Sequence, residues 1–339
     1  MKTKYLIYLL LITGFILSSC REITVKTTIN NDGSFTRVVT IRGDSADVIK
    51  TNLPYPIDSS WAKEFARDTS DSTKYICTYT KFYKSDDLLN AEMHNDTSWK
   101  SQIQRDVEIS KRFMFFYSFI TYHQVYKAAN PFSEDYHGYI NEEDLLWISE
   151  VKAALNRKDS IRIDSAYVSL DNYYKHVLVV EIIDALQKGL RQLNDPNLNN
   201  IDMAMYKDSI AANAISWSSG KYENSIDALI TWTGNSELAR LHNIEPSIFE
   251  ELEKKDDFAD KVFFGNEYTL EVEMPGLITE TNSTVMHGNT VSWTIGTMSF
   301  FFEDYEMYVE SRVVNYWAFI VSGIVVLLLL IAVIVKIFR

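Results

Sequence analysis

An apolar run near the C-terminus sets the first limit on what this chain of 339 residues can be. From Trp317 to Val335, only Ser322 and Gly323 interrupt the run of apolar residues. At a helical rise of about 1.5 Å per residue the run reaches roughly 28 Å, close to a hydrocarbon core of about 30 Å. The sequence therefore predicts a transmembrane helix over residues 316–335. A hairpin or a buried helix is the alternative, and the density of apolar residues disfavours both.

The N-terminus has the order of an export signal over residues 1–19. Lys2 and Lys4 come first, an apolar run follows, and small residues close it. The closing sequence Leu17-Ser18-Ser19-Cys20 resembles the lipobox of bacterial lipoproteins, in which cleavage before the cysteine leaves a diacylated N-terminus. That resemblance implies lipidation of Cys20, and hence a second anchor beside the helix. The alternative is an ordinary signal peptide in which Cys20 has no role.

Charge asymmetry across the C-terminal run predicts its orientation. Lys336 and Arg339 follow the run in a tail over residues 336–339, whereas acidic residues precede it: Glu303, Asp304, Glu306 and Glu310. The positive-inside bias puts such a tail in the cytoplasm. We therefore expect a bacterial inner-membrane protein whose ectodomain lies in the periplasm.

Net charge and cysteine content exclude some partners and cross-links. The formal net charge is −13, and an acidic ectodomain is a poor ligand for nucleic acid, so we expect no nucleic-acid partner. If Cys20 is acylated, Cys77 is the one cysteine left, and no structural disulfide can form. Cys77 stands in an alternating stretch and is predicted to be a small buried hydrophobe.

Residues 20–130 are predicted to be β-rich. A hairpin is expected over Ile23–Ile41, with further strands in Lys74–Tyr83 and Gln102–Tyr126, because apolar and β-branched residues alternate there. Prolines interrupt the chain between the first two segments, so we expect Trp61–Ala66 to be at most a short helix.

Residues 131–262 change to a helical period, with acidic residues before the first apolar face. The predicted helices are Leu145–Leu155, Leu170–Leu193, Ile201–Ser216, Ser225–Leu241 and Pro246–Lys254.

Residues 263–315 return to a period of two, around Tyr268–Met274, Val291–Ile295 and Tyr305–Val309. Short strand segments at both ends need partners, so we predict an α+β fold in which one antiparallel sheet is split by an inserted helical subdomain. Two independent β modules that flank a helical bundle are the alternative.

The C-terminal β segment carries a family resemblance. Leu270–Gly276, then Gly288–Trp293, then a strand that enters a terminal apolar helix, is similar to the mycobacterial LppM-like envelope lipoproteins. The resemblance implies an α+β envelope domain with an apolar cavity for lipid or glycolipid, and it brings no catalytic residues. The helical segment 131–262 has no counterpart in it.

Sequence motifs for catalysis or metal binding are absent, so we expect no cofactor and no metal. The histidines follow neither a His-Glu-x-x-His nor a comparable spacing; they are His94, His123, His137, His176, His242 and His287. Runs of carboxylates at Glu142-Glu143-Asp144 and Glu250-Glu251 stand at predicted helix starts, where they stabilise the helix dipole.

Aromatic residues concentrate in the N-terminal β segment, at Tyr79, Phe82, Tyr83, Phe115, Phe116, Tyr117, Tyr122 and Tyr126. They are expected either to pack a β core or to form a face for carbohydrate or lipid headgroups.

Five Asp-Ser-x triplets resemble the acceptor motif for periplasmic O-glycosylation in Bacteroidota, with candidate sites at Ser45, Ser72, Ser160, Ser165 and Ser209. The alternative is that these pairs are helix caps and turns.

Three classes of function remain. We expect a non-catalytic envelope lipoprotein that binds lipid, glycan or a partner protein in the membrane. The alternatives are a periplasmic hydrolase with a carboxylate site assembled by the fold, and a sensor subunit of a membrane complex. Because the tail 336–339 is too short for a cytoplasmic domain, such a sensor would have to signal laterally.

Overall fold

The computed structural model describes residues 21–46, 48, 56–96, 99–149, 157–198, 200–218, 220–263 and 267–338. The predicted export signal 1–19, Cys20 and Arg339 lie outside the described residues. Internal contacts divide the chain into two compact units. Unit 1 draws on Met1–Lys127, Asn266–Ile295 and Asp304–Arg339, and unit 2 on Ala128–Gly265 and Gly296–Glu303.

Unit 1 is built from β-strands whose buried and exposed positions alternate. They are β1 (Glu22–Ile29), β2 (Phe35–Gly43), β3 (Ala62–Arg67), β4 (Tyr75–Tyr83), β5 (Arg105–Met114), β6 (Tyr117–Tyr126), β7 (Tyr268–Glu273), β8 (Leu277–Thr281), β9 (Val285–His287), β10 (Thr290–Ile295) and β11 (Tyr305–Val314). Unit 1 also holds helix α1 (Asp86–His94) and, after β11, the apolar helix α7 (Tyr316–Ile337).

The predicted α+β class with a sheet divided by a helical insertion is confirmed, with two corrections. The strands form a seven-stranded sheet in the order β3-β4-β2-β1-β7-β10-β9 and a four-stranded sheet in the order β5-β6-β11-β8. Both sheets combine strands from before and after the insertion. The expectation of one sheet was wrong because each sheet has one apolar face, which must be covered by another layer.

The second correction is that the pattern is not antiparallel throughout. Strands β1 and β7 pair in parallel, with Val25 opposite Leu270. A parallel pair needs a long crossover connection, and the insertion together with the intervening strands supplies it.

The two sheets share a core that contains a buried arginine. Arg37 on β2 donates from Nε to Thr27 Oγ1 at 3.2 Å, and from Nη2 to Tyr122 Oη at 3.0 Å and Gln124 Oε1 at 3.4 Å. Because β6 belongs to the other sheet, these bonds fix the register of the sheets against each other. Cys77 is also buried in this unit, as its alternating sequence predicts.

Residues 62–67 form an edge strand, and the expected short helix at Trp61–Ala66 was wrong. Strand β3 pairs with β4, with Ala62 opposite Thr80 and Phe65 opposite Cys77. Its side chains are exposed, so burial gives no period-2 signal there; cross-strand hydrogen bonding determines its conformation.

Unit 2 holds the helices, which are α2 (Glu142–Ser149), α3 (Arg157–Leu193), α4 (Lys207–Trp217), α5 (Asn224–Thr233) and α6 (Glu250–Phe263). Helix α3 begins earlier than the predicted Leu170. The predicted helix Ser225–Leu241 is divided at Gly234, which ends α5 with a φ of 64°, and residues Ser236–Asn243 continue as a 3-10 helix.

Candidate membrane-contact site

Among the described residues, α7 is the one helix whose length and composition would allow it to cross a membrane. It has a mean hydropathy of 3.3, and only 6% of its apolar window is buried. Its sole buried residue is Ala318 in the first turn. Beyond its first turn, the apolar side chains of this helix are exposed among the described residues.

A single residue, Asn315, separates β11 from α7, and it also holds the turn between β5 and β6. Its backbone N–H donates to the carbonyl of Phe116 at 2.9 Å, and its Nδ2 donates to the carbonyl of Phe115 at 2.9 Å. Its Oδ1 accepts from Ser118 Oγ at 3.1 Å. The side chain of Asn315 therefore fixes this turn to the start of α7.

The β5–β6 turn has an unusual sequence for its geometry. Met114 and Tyr117 are the last paired residues, so Phe115 and Phe116 make a two-residue turn. Phe115 has a φ of 30°, and such turns normally use Asn or Gly because positive φ is costly for a bulky side chain. The aromatic side chains here are not explained by turn preference.

The turn and the residues before it form an apolar cluster with the first turn of α7. The rings of Phe113 and Trp317 stack at 6.0 Å, Phe115 lies 5.6 Å from Trp317, and Phe116 lies 4.8 Å from Phe319. We name Phe113, Met114, Phe115 and Phe116 the tip. Its side chains stay exposed by 56%, 54%, 45% and 37% respectively.

On the outer face of the four-stranded sheet, the type of side chain changes from row to row along the strands. Nearest α7, Met114, Tyr117 and Val314 lie opposite one another. In the next outward-facing row, Arg112 and Arg312 flank Phe119; we name this pair the arginine row. The guanidinium of Arg112 lies 4.8 Å from the Phe119 ring, and that of Arg312 lies 4.8 Å from the Tyr117 ring.

Carboxylates begin one row farther from α7. Glu310 lies opposite Thr121. Glu306 lies opposite Val125, two rows of outward-facing residues farther from α7. Glu310 Oε2 approaches Arg112 Nη2 at 3.5 Å. Along the strands the order is thus apolar, then cationic, then anionic.

The aromatic residues that the sequence grouped together separate into two sets. Tyr79, Tyr83, Tyr122 and Tyr126 are buried in unit 1, as core packing predicts, and burial raises the pKa of Tyr122 to about 12 although the nearby Arg37 opposes that rise. Phe115 and Phe116 belong to the exposed tip instead. Phe82 is exposed by 55% on β4.

The candidate O-glycosylation serines are scattered over both units. Ser45 and Ser72 are exposed in turns of unit 1, Ser160 and Ser165 are exposed on α3, and Ser209 is half-buried in the first turn of α4. Asp71, which precedes Ser72, accepts from Thr73 N at 3.0 Å and from Thr73 Oγ1 at 2.6 Å. The carboxylate of Asp71 therefore stabilises a turn, as expected if the Asp-Ser pairs are caps and turns.

Five of the six histidines each lie near a different carboxylate, and the predicted carboxylate runs contact separate basic residues. His94 lies 3.2 Å from Asp106, and His242 lies 3.0 Å from Asp227. The described residues contain no group of three or more His, Cys, Asp or Glu side chains that could hold a metal ion. Asp144, in the first carboxylate run, is buried; its backbone N–H donates to Asn141 Oδ1 at 2.8 Å, and its carboxylate accepts from Asn141 Nδ2 at 2.9 Å.

Unit 2 contains a further acidic cluster on α6. Asp256 is buried, and its two carboxylate oxygens accept hydrogen bonds from Tyr174 and Tyr222. Burial, followed by the charges of Asp256 and Asp257, raises the pKa of Asp260. The bonds to both oxygens of Asp256 give it a structural role between α6 and its neighbours.

Comparisons with known proteins identify no family. No known protein family matches the sequence, and no curated protein matches it either. A solved structure, the NMR structure of the folded domain of the Mycobacterium tuberculosis LppM protein, is similar over 87% of this chain and 91% of that chain. The identity is 9% and the TM-score 0.28, which is too low to support an inference about fold or function.

Proposed function

We propose that this protein is a non-catalytic bacterial envelope protein whose unit 1 is held against the inner membrane by α7 and binds lipid, glycan or a partner protein there. The single observation that carries the proposal is the junction at Asn315. A strand of the four-stranded sheet continues into an exposed apolar helix with one residue between them. Such a junction leaves no flexible tether, so unit 1 must stay at the membrane surface.

The orientation in this proposal has a periplasmic ectodomain and a cytoplasmic C-terminus. The basic residue Lys336 near the end of α7 and the carboxylates before it support that orientation. A fluorescent protein fused after Arg339 should be fluorescent, and alkaline phosphatase fused there should be inactive. Active phosphatase in that fusion would overturn the orientation.

Lipidation of Cys20 is part of the same proposal. Strand β1 begins at Glu22, and Tyr126 on β6 contacts Tyr268 on the neighbouring strand β7 at that end of the sheets. Lys111 Nζ on β5 donates to the carbonyl of Asn31, just beyond the other end of β1, at 2.6 Å. Strands β1 and β11 therefore point the same way.

The two proposed anchors consequently attach at opposite ends of unit 1. The start of β1 lies roughly 30 Å from the start of α7, at about 3.3 Å per strand residue. One bilayer could hold both anchors only if unit 1 lies along its surface. The variant Cys20→Ser should lose diacylglycerol incorporation and should still sediment with membranes through α7. Release of that variant into the soluble fraction would overturn anchoring by α7.

Ligand binding and modification are tested on the solubilised full chain. Native mass spectrometry should show a retained lipid or glycan or a stable protein partner, and a bare monomer would contradict binding. Intact mass should exceed that of the polypeptide with its lipid on Cys20 if any of the five candidate serines, of which Ser45 and Ser72 are exposed in turns, is glycosylated.

A further inference from the structure

We infer that the tip and the arginine row form a lipid-contact surface that binds the headgroup layer of an anionic bilayer. The surface comprises Phe113, Met114, Phe115, Phe116, Arg112 and Arg312. This inference rests on the proposed anchoring through α7, and it adds a second, independent contact between unit 1 and the same membrane.

The first argument is continuity with α7. The tip contacts Trp317 and Phe319, which lie in the first turn of the helix. Wherever the start of α7 meets lipid, the tip must meet it too, because Asn315 holds the turn at that position. Aromatic residues at this level are typical of the membrane interface.

The second argument is the spacing of the layers. Arg312 precedes Val314 by two strand residues, which is roughly 7 Å at about 3.3 Å per residue. A headgroup layer is about 5 to 7 Å thick on each side of the hydrocarbon core. With the tip at the hydrocarbon boundary, the arginine row therefore lies at the level of the lipid phosphates.

The third argument is charge. Guanidinium groups suit bidentate contact with phosphate, and their stems can lie along apolar surface while the charge stays in the polar layer. Glu310 lies roughly 7 Å farther along β11 than the arginine row, and it approaches Arg112 at 3.5 Å. The guanidinium of Arg112 therefore offsets the nearest carboxylate, while Glu306 lies roughly 20 Å from the arginine row, beyond a Debye length of about 8 Å at physiological ionic strength.

The fourth argument is the conformation of the turn. Phe115 is held at a positive φ, at a turn position that favours Asn or Gly. Strained conformations of this kind persist at functional sites where the surroundings impose them. Contact with lipid explains why bulky apolar side chains occupy this turn although the described residues leave them partly exposed.

The test uses the full chain reconstituted in phosphatidylcholine vesicles with about one third phosphatidylglycerol. An environment-sensitive fluorophore is attached at Met114→Cys in a background with Cys20→Ser and Cys77→Ala. Quenching is measured with lipids that are spin-labelled near the headgroup and with iodide in the water. The matched control is Phe65→Cys, an aromatic position exposed by 48% on β3.

Lipid contact predicts that the label at residue 114 is quenched by the shallow spin label and shielded from iodide, while the label at residue 65 behaves in the opposite way. Iodide quenching that is equal at both positions would overturn the inference. Shielding of residue 114 from both quenchers would also overturn it, and would indicate that a second copy of the chain covers the tip.

A third label separates this inference from the proposal that it rests on. A fluorophore at Leu328→Cys, in the middle of α7, should be quenched by a lipid that is spin-labelled deep in the acyl chain. If Leu328 is not quenched, anchoring through α7 fails; if Leu328 is quenched and Met114 is not, only the lipid-contact surface fails.

The contribution of the arginine row is tested with Arg112→Gln and Arg312→Gln together. These positions are on the surface, so the variant should fold. In the anionic vesicles, the label at residue 114 should be shielded from iodide severalfold less in the variant than in the parent. In vesicles of pure phosphatidylcholine, the variant and the parent should be shielded equally. An unchanged response to phosphatidylglycerol would remove the arginines from the inference.

Discussion

The two ends of unit 1 carry opposite surface chemistry. At the end where β1 begins, Arg42 pairs with the exposed Glu22 at 3.1 Å and with the buried Asp68 at 2.5 Å. At the end where α7 begins, the tip is apolar and its aromatic rings are exposed. A soluble domain would be expected to be polar at both ends, so the difference is the one that the proposed membrane contact at the α7 end predicts.

The largest expected effect is a difference in unfolding free energy between a substitution in the core and one in the tip. Phe35 is fully buried and stacks on Tyr83 at 5.0 Å, so Phe35→Ala should lower the free energy of unfolding by about 3–5 kcal/mol. Phe113→Ala removes an exposed ring and should cost at most about 1 kcal/mol. Denaturant unfolding of the full chain in detergent, followed by circular dichroism, measures both. Equal losses would mean that the tip is part of the folding core.

A smaller effect is expected when the tip is released from α7. Asn315→Ala removes the bonds to the Phe115 carbonyl and to Ser118, each worth about 1 kcal/mol. Amide hydrogen exchange in the β5–β6 turn should become roughly 5- to 30-fold faster. The control is Asn289→Ala, which removes a comparable bond to the Met274 carbonyl at 2.9 Å in a different turn. If Asn289→Ala accelerates exchange in the β5–β6 turn as much as Asn315→Ala does, Asn315 does not position the tip.

The polar end should give unit 1 part of its acid sensitivity. The bond from Arg42, followed by those from Ser70, lowers the pKa of Asp68 below its usual range. The unfolded chain has the ordinary value of about 3.9, so this carboxylate stabilises the fold above that pH. The stabilisation is lost as the pH falls below about 4 towards the folded-state value.

Two variants test this pH dependence. Asp68→Asn and Arg42→Gln should each flatten the acid side of the curve of stability against pH, and their effects should not add, because both remove the same bond. An acid limb that is unchanged in Asp68→Asn would show that other carboxylates account for the sensitivity of this end.

Much of the fold could be predicted from hydrophobic period alone. The strands around Ile23–Ile41 and Tyr268–Met274 bury one face and show a period of two, and the apolar density of the α7 run disfavours a hairpin or a buried helix. The edge strand β3 could not be predicted, because its exposed residues carry no pattern. The division into two sheets also depends on which long-range partners the strands select, and a local pattern does not encode that choice.

The candidate site was predicted only in part. The sequence grouped Phe115 and Phe116 with the core tyrosines, since a run of aromatic residues without Asn or Gly does not predict a turn. Asn315 and the arginine row were missed, because their roles depend on the pairing of β5, β6 and β11. The one available signal was an Asn immediately before the apolar helix.

The central claim is that α7 and the tip by themselves hold unit 1 upright on the membrane, as they must when Cys20 is replaced by Ser and carries no lipid. The direct test is the height of two labels above the bilayer, measured by energy transfer from donors at Met114→Cys and Phe65→Cys to acceptor lipids. Phe65 lies opposite Cys77, which lies opposite Ile41 near the start of β1. It is therefore roughly 30 Å from Met114 along the strands. We predict that, in the Cys20→Ser background, the Phe65 donor lies higher by about that distance, whereas equal heights in that background would show that unit 1 lies along the membrane without a lipid on Cys20 and would contradict the claim.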